Sequence, residues 1–204
     1  MFVSVLNRDI LAVMATQSAA ISTTWSVQLL AELDLIDQRT QELTAGITVE
    51  QLNWQPAPAA WSIGQCFEHL CLGNEVYLPA IAAALEGKQP AVVQEITPGW
   101  FARWFMRSFI EPSPTTKRAS APKKIVPSSH VPLSVIDRFL HTNQDARKLI
   151  RRAATYDVNH IRFINPFIPL LRFTVGTGLQ LTCGHERRHL LQAERVKSAP
   201  RFPR

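Results

Sequence analysis

GHERRHLLQAERV, residues 184–196, decides the fold. His185 and His189 stand four residues apart, so on a helix their imidazoles point the same way, about one turn apart. Seven-residue steps link Val175, Thr182, His189 and Val196, and a second set links Gly178, His185 and Gln192. These are neighbouring core positions of one helical stripe, so both histidines are expected to face inward. The pattern predicts a helix from about Arg172 to Lys197. Gly176, Gly178 and Gly184 each cost up to about 1 kcal/mol against Ala in a helix. They make sense where another backbone or a bulky ligand approaches closely.

Three further helical patterns precede this one. From about Thr23 to Thr44, Leu29, Leu30, Leu33, Ile36 and Leu43 recur at helical steps between Glu32, Asp34, Asp37 and Arg39, and Gly46 supplies a stop. After a Pro-rich connector at 55–60, Ser62 and Gln65 spell a capping box with Trp61 just before it. That helix is expected to run to about Glu86 and end at Gly87, with a bend near Val76 caused by Gly73 and Pro79. A third helix is expected from near Pro132 to about Tyr156, apolar through Val135, Ile136, Phe139, Leu149 and Ile150. Between the second and third lies an insert, 87–130, punctuated by Pro90, Pro98, Pro112, Pro114, Pro122 and Pro127. Within it, Trp100, Phe101, Trp104, Phe105 and Phe109 suggest a short helix covering one end of the core. Residues 111–129 read as an extended surface crossover. No alternation is strong enough for a sheet. The class is therefore all-α: a four-helix bundle with a long crossover between helices 2 and 3. One domain is expected over 21–198, with 1–20 a disordered N-terminal extension (Met14 being a second candidate start) and 199–204 a tail.

Composition narrows the function classes. No apolar run is long enough to span a membrane, and the N-terminus lacks a secretory pattern, so a cytoplasmic protein with no membrane partner is expected. Three cysteines, Cys66, Cys71 and Cys183, do not form a disulfide framework. The net charge of +6 is uneven: residues 1–100 carry 3 basic and 10 acidic side chains, residues 101–204 carry 19 and 6. Without a nucleic-acid motif or stacking aromatics, an acidic helix pair packed beside a basic pair is preferred to nucleic-acid binding.

In the second helix, His69 shares a stripe with Cys66, Gly73 and Val76. Three imidazoles on inward faces of two helices are costly to bury without a partner, and a divalent ion supplies one. His69, His185 and His189 are the candidate ligands. The ion is expected to be zinc, with nickel, iron or manganese as alternatives, and its open position would serve water or substrate. His130, His141 and His160 fall out of register and are expected at the surface or in local hydrogen bonds. Gln192 can orient a ligand or hydrogen-bond in the core. Glu186, turned about 100 degrees from His185, is a carboxylate behind the ligands or on the rim, or simply a solvated one. Arg188 or Arg172 can receive a substrate carboxylate. Cys66 is the nearest candidate for a fourth ligand, which would close the site into a non-catalytic metal-binding or interaction module. Residues 185–189 also match the His-Glu-x-x-His pattern of zinc peptidases, but Glu194 is too near for a third ligand and the substrate-binding sheet is missing.

Two segments, WSIGQCFEHL (61–70) and GHERRHLLQAERV (184–196), resemble the signature segments of the DinB-like (YfiT-type) superfamily. The resemblance implies a four-helix bundle and a three-His metal site at His69, His185 and His189. It also implies an enzyme working with a small-molecule substrate: a transferase using a low-molecular-weight thiol such as bacillithiol or mycothiol, a maleylpyruvate isomerase, an iron-binding domain of ergothioneine-forming synthases, or a hydrolase using the same open position. A homodimer through the aromatic stretch 100–109 is a further expectation.

Overall fold

Side-chain caps set where three helices begin. Thr23, Thr48 and Ser62 accept the N–H three residues on, while Ser26, Gln51 and Gln65 reach back to the cap, starting α1 (Thr24–Thr44), α2 (Val49–Asn53) and α3 (Ile63–Ala84). Gly46 and Gly87 follow α1 and α3 with φ of +67° and +65°, the left-handed turn that glycine adopts most readily. The helix α3 runs unbroken through Pro79. The computed structural model describes residues 22–111 and 121–204, so the reading of 1–20 and the centre of the crossover lie outside it.

The insert contains α4 (Trp100–Phe105), which continues into a π-helical turn over Met106–Ile110, then a 3-10 turn at Lys123–Ile125. The helix α5 spans Val135–Ala153 and α6 spans Val175–Lys197. The chain is mostly helical, and α1 and α3 each pack against both α5 and α6. No described helix is long and apolar enough to cross a membrane.

Two readings are corrected. There is a small sheet: β1 (Arg162–Ile164) and β2 (Arg172–Thr174) pair antiparallel with Phe163 opposite Phe173. Three residues per strand are too few to register as alternation. The last helix consequently starts at Val175, capped by Thr174, because Arg172–Thr174 is held in the hairpin. The five-residue α2 is likewise too short to show a period.

A core of large apolar side chains, including Trp25, Leu33, Phe67, Ile81, Phe139 and Leu179, fills the space between the long helices. Burying each contributes about 1.5–3 kcal/mol. The uneven charge is matched across helix contacts. Arg147 of α5 bridges Asp34 and Asp37 of α1 at 2.8 and 2.9 Å, Arg138 of α5 meets Glu75 of α3 at 2.6 Å, and Arg187 of α6 pairs with Glu32 of α1. The preferred arrangement, acidic helices beside basic ones, is the one observed. One pair runs the other way, Arg39 of α1 with Glu194 of α6 at 2.6 Å. In the insert, Phe101 and Phe105 pack on Phe173, whereas Trp100 remains 76% exposed and Trp104 46%.

The costly glycines of α6 make room for neighbouring side chains rather than for a backbone. A Cβ on Gly178 would lie 2.6 Å from Cε1 of Phe163, and one on Gly184 would lie 3.0 Å from Ile110. On Gly73 of α3 the nearest atom would be Cε1 of His185 at an ordinary 3.9 Å. Urea denaturation is expected to show Gly178→Ala less stable than wild type by about 1–2 kcal/mol, overpacking outweighing the helix-propensity gain. Gly73→Ala is expected to gain up to about 1 kcal/mol. A Gly178→Ala protein as stable as wild type would contradict this packing.

Candidate metal centre

His69 comes from the second turn of α3, and His185 and His189 from successive turns of α6. The structure brings these three expected residues together: one nitrogen of each lies within 4.8 Å of the others. His69 Nε2 is 3.1 Å from His185 Nε2. His69 and His189 are buried, and His185 is half-buried. Such a group of imidazoles can bind a metal ion.

Protonation favours that use. Burial is the leading cause that lowers all three imidazole pKa values: His185 is pushed down to about 3, and His189 falls well below its ordinary value, with the neighbouring imidazoles and Arg188 adding to both. His69 is lowered less, because its bond to a carbonyl opposes burial. The cluster is therefore neutral at pH 7, the form that ligates.

Two of the rings are also oriented. Nδ1 of His69 donates to the Ile125 carbonyl at 2.7 Å, and Nδ1 of His189 donates to Gln192 Oε1 at 3.0 Å. A carbonyl only accepts, so the proton sits on Nδ1 and the Nε2 lone pair is left for the cluster. Gln192 thus holds a ligand ring. Trp61 completes the packing, stacked on His189 at 5.6 Å and tilted on His69 at 4.7 Å.

Sequence reasoning missed Ile125 and the role of Trp61. The signal for Ile125 was its apolar side chain in a basic, Pro-rich stretch; that residue is 3% exposed. The crossover that carries it is anchored to α3, because Gln65 donates to the Ser128 carbonyl at 3.0 Å and Glu68 accepts from the Ser128 N–H at 2.5 Å.

The histidines line a cavity of about 350 Å³. Its walls are largely aromatic and aliphatic, among them Tyr77, Phe105, Phe109, Phe167 and Ile168. Arg188 lines it too, whereas Arg172 is exposed on β2 and does not. Asn165 Oδ1 accepts from the N–H groups of Phe167 and Ile168 at 2.8 and 3.0 Å, which shapes the hairpin loop that lines the cavity.

The other candidates separate. Among the described residues, Cys66 does not join the cluster; it is fully buried in the apolar core, and burial raises its thiol pKa. His130, His141 and His160 are exposed, as expected. Glu186 is neither solvated nor on the rim: it is 0% exposed, and Oε1 accepts from Asn74 Nδ2 at 2.8 Å. The helix α6 packs against both α1 and α3, so its buried arc is wider than one stripe and takes in Glu186. Burial pushes the Glu186 carboxyl up to about 8, with nearby Asp37 and Glu32 adding and Asn74 and Arg147 opposing.

A family model described as the DinB superfamily matches residues 32–193. The chain belongs to the DinB superfamily. The match covers the first signature segment, the second as far as Ala193, and all three histidines of the cluster. No curated protein and no solved structure gave a significant match.

Glu186 makes a pH signature. The folded carboxyl binds its proton up to about pH 8, whereas the unfolded one releases it near 4.5. Between those values the folded state holds more protons, so this residue costs increasing stability as pH rises. Thermal unfolding of metal-free Glu186→Gln against wild type should give a Tm difference that grows in the variant's favour from about pH 5 and levels off above about pH 8. A difference independent of pH would place an ionised carboxylate in the core.

Proposed function

We propose that this DinB protein is a metal-dependent enzyme, its long helices forming the four-helix bundle with the crossover between α3 and α5. In this reading His69, His185 and His189 hold a divalent ion, zinc before nickel, iron or manganese. The reaction is transfer to or from a low-molecular-weight thiol, or hydrolysis. The observation that carries the reading is the convergence of three neutral imidazoles, two of them oriented through Nδ1, on a cavity able to hold a small molecule. Bound there, the ion supplies Lewis-acid chemistry, which brings a thiol or water to its nucleophilic form at neutral pH.

The chain's own residues do the rest. Ile125 and Gln192 keep the ring protons on the outer nitrogens. Trp61 packs against two of the rings, and the aromatic walls limit water beside the cluster. The cavity favours an enzyme over a sealed binding module, since a structural site has no use for an open wall. The peptidase reading lacks its base: Glu186 is held in the core by Asn74 and is absent from the cavity lining.

Elemental analysis of purified protein is expected to give about one metal per chain for wild type and none for His185→Ala. Full occupancy in that variant would refute the ligand set. Gln192→Leu should keep the fold and weaken the metal by about 10–100-fold in competition with a chelator. Turnover of metal-loaded protein with low-molecular-weight thiols and electrophilic co-substrates tests the transferase; activity on esters or amides without thiol selects hydrolysis, and the absence of both activities would overturn the enzyme reading.

A further inference from the structure

Arg188 is a cation with no carboxylate partner among the described residues. Its side chain lines the cavity, and among the described residues it forms no ion pair. Among the described residues its one hydrogen bond runs from Nη1 to the Phe109 carbonyl at 2.6 Å, a neutral acceptor in the crossover insert. Four of the other arginines of α5 and α6, Arg138, Arg147, Arg152 and Arg187, meet carboxylates. A guanidinium carries several donors in a rigid fork suited to a planar anion, and the bond to Phe109 fixes one edge while leaving the remaining donors unassigned. The surrounding walls are apolar and include the parallel rings of Tyr77 and Phe167, 6.0 Å apart, and the Phe105–Phe109 pair at 5.2 Å. A charge beside such walls is poorly hydrated, so an incoming anion gains more there than on an open surface.

We propose that the cavity selects a carboxylate carried on an aromatic or branched apolar body, with Arg188 binding the carboxylate and the aromatic walls the body. Arg188 is the one cationic side chain among the described lining residues, and a single planar guanidinium suits a single planar carboxylate. The volume of about 350 Å³ accommodates a phenylalkyl acid. The proposal rests on the reading of this cavity as the substrate site. Arg188 is a specificity residue in it and performs no chemical step.

The probes are 4-phenylbutyrate and its uncharged isostere 4-phenylbutyramide, titrated calorimetrically into the full chain, both chelator-treated and zinc-loaded. Wild type is expected to bind the acid about tenfold more tightly than the amide in the absence of metal, the size of one charge-assisted hydrogen-bond pair. Arg188→Met should bring the acid down to the amide's affinity and leave the amide unchanged. Arg188→Lys should keep part of the preference. Equal binding of both probes by wild type overturns the proposal, as does binding of neither at millimolar concentration, and neither result depends on a variant that folds. A preference that survives Arg188→Met also overturns it. A preference seen only with zinc and lost in His185→Ala puts the carboxylate on the ion, overturning the assignment to Arg188 while supporting the metal site. Absence of stoichiometric zinc with an intact Arg188-dependent preference sinks the metal reading and supports this one.

Discussion

Three imidazoles crowded into a protein interior constrain everything around them. Each ring has two polar nitrogens, and burial favours its neutral form. The structure meets one nitrogen of His69 and one of His189 with an acceptor, the Ile125 carbonyl and the Gln192 amide oxygen, and turns the other inward. That requirement reaches beyond the two helices that carry the histidines. The crossover must bring Ile125 to α3, and Gln65 and Glu68 hold it there through Ser128. Trp61, just outside the cap of α3, fills the space against two of the rings.

The same constraint shapes α6. One side of this helix presents His185 and His189 to the cavity, and another carries Glu186 into the core. A helix buried over so wide an arc has little room for bulky residues, and its glycines admit Phe163 and Ile110. Phe163 arrives on a hairpin whose loop also places Phe167 and Ile168 on the cavity wall. The site floor is therefore helical, while its walls come from the segments between the helices.

Much of this was legible in the chain. The capping box at Ser62, the glycine stops at 46 and 87, and the seven-residue steps through His185 and His189 each encode a local rule, so the long helices and their inward faces could be read. The charge asymmetry foretold acidic helices beside basic ones, though not the partners, since pairs such as Arg147 with Asp37 depend on helix azimuth. Glu186 was misplaced because a single inward stripe was assumed for α6. The hairpin was invisible because three-residue strands carry no measurable period.

Sequence alone determined the helices, their ends and the shared inward face of the histidine pair, because capping, periodicity and glycine conformation act over a few residues. Only the tertiary structure decided that His69 meets that pair, that a main-chain carbonyl and a glutamine orient two of the rings, and that Arg188 faces a largely apolar cavity with no carboxylate among its described lining residues. Those facts join residues up to 116 positions apart. Their distances follow from how helices and loops pack on one another, which no local pattern encodes.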